Sequence, residues 1–359
     1  MPLLAGIGVC LVLFVCAYAI SSAPFFKLEY RADAQGASTS TIPTKPKPVP
    51  ALDRAAYDAK LNQIAHVVVS TTTLATTTAS TTPARAPLWP VKGVYPNAGA
   101  LLPFNRIIAY YGNFYSKGMG VLGEYPAEIM KQKLAAEVAK WNAADPTTPV
   151  IPAIDYIAVT AQASPGKDGK YRLRMPDSQI DYALELAQQV NGIVILDVQV
   201  GLSTLQDELP QLQKYLAMPQ VHLAIDPEFA MHGGVRPGRA IGSFDAVDVN
   251  YAANFLAKLV QENNLSPKIL IVHRFTQDMV THYKQITPLP EVQIVMDMDG
   301  WGSPAKKIGT YSHVIVPEPV QFTGFKLFYK NDLFAPSTRI MTPSELLQLT
   351  PQPLFIQFQ

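Results

Sequence analysis

After residue 104 the sequence alternates eight times between a short β-branched run and a stretch with helical periodicity, the last helix being missing or replaced. Strands that are each followed by a helix form a parallel sheet, because the helix returns the chain to the same edge. Eight such units within 105–359 match a (β/α)8 TIM barrel, whose typical length is ~250 residues. A doubly wound sheet is the competitor, but no G-x-G-x-x-G follows the first strand. The sequence therefore predicts an α/β fold with a closed barrel over 105–359.

The individual elements of this barrel can be read from the same pattern. The predicted strands are 106–112, 150–155, 192–199, 221–229, 268–275, 291–299, 322–330 and 353–358. The predicted helices are 127–144, 178–190, 203–217, 246–264, 276–285, 303–314 and 342–349. Active sites of this fold lie at the C-terminal ends of the strands, so the residues there are the candidates for function.

The N-terminal segment is apolar and uncharged. The run LLAGIGVCLVLFVCAYAI (3–20) lies between the length of a signal-peptide core and that of a short membrane span. Ser21-Ser22-Ala23 resembles a cleavage site with small residues, whereas Leu13-Phe14-Val15-Cys16 is a poor lipoprotein box. We expect 1–23 to be a signal peptide or a membrane anchor. The protein would then be extracytoplasmic, either secreted or anchored to the cell membrane by this segment.

Residues 24–104 differ in composition from both neighbours. The stretches 37–50 and 70–87 are rich in Ser, Thr, Pro and Ala, and such segments bury too little apolar surface to offset chain entropy. They predict a disordered low-complexity linker or stalk, with a short helix possible at 51–68. The predicted domains are thus 1–23, 24–104 and 105–359.

Composition excludes several classes of function. The net charge of +1 gives no attraction for nucleic acid, and we expect none as a partner. The two cysteines, Cys10 and Cys16, both lie in the apolar run, so the remainder has no disulfide framework and no Cys nucleophile. The sequence contains no G-x-S-x-G, P-loop or H-E-x-x-H motif. We expect a monomer without a cofactor.

The strand VHLAIDPEF (221–229) ends in two acids, Asp226 and Glu228, and other strands also end in polar residues. Because side chains alternate along a strand, every second residue lies on the same face of the sheet. The polar residues on this face are Tyr111, Asn113, Asp155, Asp197, Gln199, Asp226, Glu228, His273, Asp297, Asp299, Lys326 and Gln357. Any single acid could instead cap the following helix. Their recurrence at four strand ends favours a common polar site, a wet hollow at the barrel mouth.

Carboxylate acid–base chemistry is the leading hypothesis for this site. Glycoside hydrolysis needs two carboxyl groups on opposite sides of the scissile bond. Asp226 and Glu228 point the same way, so we expect Glu228 as the acid with a partner across the mouth. The catalytic candidates are Glu228, Asp299, Asp297, Asp226 and Asp197. The substrate-binding candidates are Tyr111, Asn113, Asp155, Gln199, His273, Trp301, Lys326 and Gln357.

Aromatic residues near the mouth favour a sugar ligand, because flat apolar rings suit the faces of sugars. The aromatic candidates are Tyr110, Tyr111, Phe114, Tyr115, Tyr156, Phe229, Phe275 and Trp301. The predicted partner is a polysaccharide or cell-wall glycan, with the membrane as a second partner if the N-terminal segment is retained.

Two other functions fit the same acids. A divalent cation, Mg²⁺ or Ca²⁺, could bind among Asp197, Asp226, Asp297 and Asp299 with His273 in a metal-dependent phosphodiesterase. A non-catalytic glycan-binding or cell-envelope module on a stalk is the third possibility.

Several long segments resemble one group of exported bacterial proteins. The segments are YYGNFYSKGMGVLGEYP (110–126), AQASPGKDGKYRLRMPD (161–177), GIVILDVQVG (192–201), VHLAIDPEF (221–229), NNLSPKILIVHRFTQDM (263–279), DMDGWGSPAKK (297–307) and GFKLFYKND (324–332). The group consists of uncharacterised lipoproteins and hypothetical proteins with a glycoside-hydrolase-like barrel. The resemblance implies export and a barrel, and it implies no particular catalytic pair.

Overall fold

The computed structural model describes residues 50–67 and 87–359. The predictions for the apolar run 3–20 with its two cysteines, and for the Ser/Thr/Pro-rich stretches 37–49 and 70–86, lie outside the described residues. Within the described part, no helix has both the length and the apolar character needed to cross a bilayer.

Eight parallel strands close into a barrel, which confirms the predicted fold class. They are β1 (Arg106–Gly112), β2 (Val150–Ala161), β3 (Ile193–Val198), β4 (Val221–Ile225), β5 (Lys268–Arg274), β6 (Val292–Met298), β7 (Phe322–Leu327) and β8 (Phe355–Phe358). Each strand pairs in parallel with the next, and β8 pairs with β1 to close the ring. A short strand, Arg172–Arg174, pairs antiparallel with the C-terminal end of β2 at Val159–Ala161.

Helices surround the barrel, with two departures from the predicted pattern. The α-helices are α1 (Arg54–Ile64), α2 (Val121–Glu124), α3 (Ala127–Ala144), α4 (Asp177–Gln189), α5 (Leu205–Glu208), α6 (Gln213–Leu216), α7 (Ala246–Asn263), α8 (Pro304–Thr310) and α9 (Pro343–Leu346).

The first departure is at 203–217, where a 3₁₀ turn over Leu209–Leu212 separates α5 from α6. Pro210 lies in that turn, and a proline has no N–H to continue an α-helix. The second is at 276–285, where two 3₁₀ turns flank the short strand Val280–Thr281. That strand pairs with Phe244–Asp245, so its backbone hydrogen bonds go to a sheet.

The inward face of the barrel changes from apolar to polar along the strands. Its lower part is a buried apolar cluster that includes Ile107, Ala109, Ala153, Ile193, Ile195, Ala224, Ile269, Ile271, Val295, Phe322 and Phe355. The outward side chains pack under the helices in a second cluster. The apolar floor supports whatever the C-terminal ends of the strands place above it.

Residues before 105 close the N-terminal end of the barrel. The backbone N–H of Leu102 donates to Oε1 of Gln293 over 3.0 Å, and Nε2 of Gln293 donates to the Leu102 carbonyl over 2.7 Å. Tyr57 and Ile64 of α1 join the apolar cluster inside the barrel. The packed structure therefore extends N-terminal of residue 105, into the predicted linker. Both the oxygen and the nitrogen of the Gln293 side-chain amide are thus hydrogen-bonded, as burial requires.

Candidate active site

The inward positions at the C-terminal ends of the strands form a polar layer above the apolar floor. Strand register sets His273 beside Asp297 and Lys326 beside Gln357. The buried members of this layer are Tyr111, Asp155, Asp197, Gln199, Asp226, His273, Asp297, Asp299, Lys326 and Gln357. The structure thus brings these sequence-predicted residues together, and Glu228 lies half-buried at their edge.

His273 lies among three carboxyl groups. Its Nε2 is 2.9 Å from Oδ2 of Asp197. Its Nδ1 is 3.3 Å from Oδ2 of Asp297 and 3.2 Å from Oδ2 of Asp299, although neither contact has the angles of a hydrogen bond. Burial opposes a charge on the ring, but the three carboxyl groups outweigh it and raise the pKa of His273 well above its usual value. The ring is therefore an imidazolium at neutral pH.

Lys326 supplies a second buried cation. Its Nζ lies 3.1 Å from Oδ1 and 3.3 Å from Oδ2 of Asp299, and 3.9 Å from the centre of the Tyr111 ring. Burial alone would raise the pKa of Asp299, but the charges of Lys326 and His273 reverse this and lower it. Asp299 is consequently the ionised carboxylate of this part of the site.

Burial has the opposite net effect on three other acids of the layer. Burial raises the pKa of Asp155, Asp226 and Asp297 above the usual value. Oδ2 of Asp155 accepts a hydrogen bond from Nε2 of Gln357 over 2.6 Å, whereas Oδ1 of Asp155 and both oxygens of Asp297 have no hydrogen-bond partner among residues 50–67 and 87–359. Removing a carboxylate from water is costly, so burial favours the protonated form of these three groups over the ionised one.

Asp226 also has a local structural role. Its Oδ1 accepts a hydrogen bond from the backbone N–H of Glu228 over 3.0 Å and caps the 3₁₀ turn Pro227–Phe229. Strand β4 ends at Ile225, before the two acids that the sequence assigned to it. Asp226 thereby positions Glu228 beyond the end of the strand, at the edge of the layer.

Glu228 combines partial exposure with a raised pKa. Burial, followed by the negative charge of Asp299, raises the pKa of Glu228 to about 7, against the opposing effect of Lys326 and His273. Glu228 therefore exchanges its proton near neutral pH, as a general acid requires.

Gln199 connects β2, β1 and the loop after β4. Its Oε1 accepts from the Ala161 N–H over 3.0 Å, and its Nε2 donates to the Tyr111 hydroxyl over 3.1 Å and lies 3.5 Å from Oδ2 of Asp226. Both ends of the amide are therefore engaged by the protein.

Asn113 and Trp301 lie away from the buried layer. Asn113 is buried, and its Nδ2 donates to the Ile157 carbonyl over 3.1 Å, so it holds the loop after β1 in place. Trp301 is 45% exposed on the loop after β6, with Nζ of Lys306 4.4 Å from its ring centre. Of these two candidates, Trp301 is the one open to a ligand.

Solvent reaches less of the layer than the sequence suggested. Asp155, Asp197, Asp297 and His273 have no exposed surface, whereas Asp299 is 8% exposed. The expected wet hollow is largely filled by the polar side chains themselves, because they pair with one another. Glu228 is more exposed than any other catalytic candidate.

Some of the aromatic candidates face away from the mouth. Tyr110 and Tyr156 belong to the cluster between strands and helices, and the Tyr110 hydroxyl lies 3.0 Å from that of Tyr329. Tyr110 follows the opposite parity to Tyr111, which explains its orientation. Phe114 stacks on Tyr156 at 4.7 Å between ring centres and so also belongs to the packing.

A buried ion pair that the sequence did not reveal ties two loops of the mouth together. Nζ of Lys307 lies 3.0 Å from Oδ2 of Asp332, and both side chains are 1% exposed. Asp332 also accepts the backbone N–H groups of Gly302 and Phe328, each over 2.9 Å. The pair thus fixes the loop with Asp299 and Trp301 to the loop after β7. The two residues are 25 positions apart and follow no motif.

The donor set offers little to a metal ion. Within residues 50–67 and 87–359, no three His, Cys, Asp or Glu side chains are arranged to hold one. Two basic side chains, His273 and Lys326, already lie against Asp197, Asp297 and Asp299.

Comparisons with known proteins leave the function to the geometry. No model of a protein family matches the chain, and no curated protein matches it. Among solved structures, ZgEngAGH5_4 in complex with a cellotriose is similar over 72% of this chain and 88% of its own, with 10% identity and a TM-score of 0.38. A ruminal GH26 endo-β-1,4-mannanase is similar over 71% of this chain and 59% of its own, with 12% identity and a TM-score of 0.29. Likenesses this distant carry no argument about activity.

Proposed function

We propose that the protein is an extracytoplasmic glycoside-hydrolase-like enzyme that acts on a cell-surface or environmental glycan. The supporting observation is that the pKa values of two carboxyl groups at the edge of the layer are shifted in opposite directions. The pKa of Glu228 is raised to about 7, whereas that of Asp299 is lowered. Two carboxyl groups whose pKa values are pushed apart can serve as acid and base in one reaction.

In this reaction each carboxyl group has a separate task. Glu228, protonated, donates its proton to the glycosidic oxygen as the bond to the leaving sugar breaks. Asp299, ionised, either removes a proton from the attacking water or attacks the anomeric carbon itself. Lys326 and His273 keep Asp299 charged during substrate binding.

The rim suits a carbohydrate. Trp301 is half-exposed two residues after Asp299, and an aromatic ring can stack on the apolar face of a sugar. A glycan that stacks there would lie close to the acid pair. We therefore propose a polysaccharide or cell-wall glycan as the partner, bound by a monomer.

The location outside the cytoplasm is proposed from the sequence of 1–23. An 18-residue uncharged run followed by small residues is typical of export or of a membrane anchor. The test is expression with and without 1–23, followed by separation of medium, membrane and cytoplasm. Equal amounts in the cytoplasm with both forms would contradict export.

The enzymatic proposal is tested on a panel of soluble and cell-wall glycans. We expect turnover by the parent, and a loss of at least about a hundredfold in Glu228→Gln and Asp299→Asn, the size of effect typical of general acid–base groups. Glu128→Gln, an exposed acid on α3, is the matched control and should be unchanged.

Three outcomes would contradict or redirect the proposal. Turnover equal to the parent in both variants would remove this acid pair from the mechanism. Glycan binding without turnover by the parent would favour a non-catalytic module. Activity on phosphodiesters that is lost on chelation would favour the metal-dependent alternative.

A further inference from the structure

We propose that Lys326 and His273 are positioning residues that decide which of the two edge acids carries the proton, holding Asp299 as the anion and leaving the proton on Glu228. This inference deepens the proposed function, and its catalytic consequence rests on it. Neither cation is proposed to touch the glycan. The evidence is the geometry of the two cations around Asp299.

The two cations contact Asp299 from two different strands. Lys326, on β7, places Nζ within 3.3 Å of both carboxylate oxygens. His273, on β5, places Nδ1 3.2 Å from Oδ2 of the same residue. Opposite charges at this distance favour the ionised form of a carboxyl group.

Each cation is itself held in place by the barrel. Lys326 is 3% exposed and lies against the ring of Tyr111, with the ring centre of Phe328 5.2 Å from Nζ. His273 is anchored at its other nitrogen by Asp197. Contacts inside the barrel therefore hold both cations beneath the edge of the layer.

The groups around Asp299 act in opposing directions. The cations are Lys326, His273 and Lys307, and the acids and phenol are Asp226, Glu228, Asp297 and Tyr111, with Asp197 on the other nitrogen of His273. The negative charge of Asp299 raises the pKa of Glu228, so ionising both carboxyl groups at once is unfavourable. Asp299 lies against both cations, whereas Glu228 forms no salt bridge within residues 50–67 and 87–359. The proton therefore stays on Glu228. Nζ of Lys326 donates a hydrogen bond to Oδ2 of Asp299 over 3.3 Å and lies 3.1 Å from Oδ1 of the same carboxylate.

The inference is tested by titration without substrate. Carboxyl-labelled Asp and Glu in the whole protein would be followed by NMR from pH 3 to 9, with Asp299→Asn and Glu228→Gln used to assign the signals. In Lys326→Met we expect the Asp299 midpoint to rise by about one pH unit or more, the shift that an adjacent opposite charge typically produces. Lys326→Arg should restore most of the shift, because the cation remains.

Lys268→Met is the matched control for the loss of a buried lysine. Lys268 lies at the N-terminal end of β5, and its Nζ donates to the carbonyls of Met218 and Val221, while no acid in the described part of the chain forms a salt bridge with it. The Asp299 midpoint should be unchanged in this variant. Should Lys326→Met fail to fold, Asp197→Asn weakens the hold on His273 and should raise the same midpoint.

Two results separate this inference from the proposed function. The expected shift of one pH unit corresponds to about a tenfold change in the proton-binding constant of Asp299. An Asp299 midpoint within about 0.3 pH unit of the parent value, in a folded Lys326→Met or Asp197→Asn, would overturn the inference. The enzymatic proposal would still be decided separately, by glycan turnover of the parent and of Glu228→Gln and Asp299→Asn. Conversely, the expected titration in a protein without glycan turnover would support the charge assignment and count against the enzymatic proposal.

Discussion

The backbone N–H of Glu228 donates a hydrogen bond to Oδ1 of Asp226 over 3.0 Å. The two acids of the segment VHLAIDPEF therefore have different roles, although they follow the same parity. Asp226 ends the strand and caps the turn, and Glu228 is the member that borders solvent.

Asp226→Ala should destabilise the protein by about 1 kcal/mol, the typical cost of losing a capping oxygen. It should also reduce turnover, because Glu228 loses the hydrogen bond that places its backbone. Urea unfolding measures the first effect, and glycan assays the second. Asp226→Asn keeps an acceptor oxygen and should retain the stability of the parent. Equal stability of the alanine variant and the parent would contradict the capping role.

Turnover should be highest below about pH 7 and fall above it. Because the pKa of Glu228 is raised to about 7, the acid loses its proton above this pH. Asp299, whose pKa is lowered, stays ionised into the acidic range. The measurement is kcat/KM between pH 4 and 9. A rate that increases up to pH 9 would contradict the assignment of Glu228 as the acid.

Stability should also respond to Glu228. The pKa of Glu228 is raised from 4.5 to about 7, so the folded state binds more protons than the unfolded state between these values. The free energy of unfolding from this group therefore falls as pH rises through that window. Glu228→Gln removes the ionisable group and should therefore remove about 1–3 kcal/mol of this pH dependence. The stability of the variant minus that of the parent should be larger at pH 8 than at pH 4. Parallel stability curves for the two proteins would contradict the raised pKa.

Removing one partner of the buried Lys307–Asp332 pair should be costly. Asp332→Ala leaves a buried ammonium unpaired and frees two backbone N–H groups, so we expect a loss of about 3–5 kcal/mol in urea unfolding. The exposed pair Lys214–Asp177 is the control, and Lys214→Ala should cost less than about 1 kcal/mol. Similar losses in the two variants would show that burial of the pair has no energetic role.

Trp301→Ala should weaken glycan binding more than it affects the chemical step. Its ring is 45% exposed, so its loss should change stability by about 0.5 kcal/mol or less. Loss of one stacking contact should raise KM by about tenfold with little change in kcat. Val247→Ala, another exposed apolar residue, should leave KM unchanged. An unchanged KM in Trp301→Ala would remove this residue from the binding surface.

The sequence by itself determined the barrel and the residues at its polar end. Both follow from local periodicity, because the strand–helix alternation sets the parallel sheet and the period of two sets the inward face. The predicted helix 127–144 is α3 of the structure, residue for residue. Parity also separates Tyr111, in the layer, from Tyr110, under the helices.

Only the tertiary structure decided which of the inward acids are charged and which reach solvent. Asp155 and Asp299 look alike in sequence, yet burial raises the pKa of the first, whereas Lys326 and His273 lower that of the second. The pairing of Lys307 with Asp332 could likewise be found only from the tertiary structure. Protonation depends on distances between atoms far apart in the chain and on the removal of water, and a local pattern carries neither.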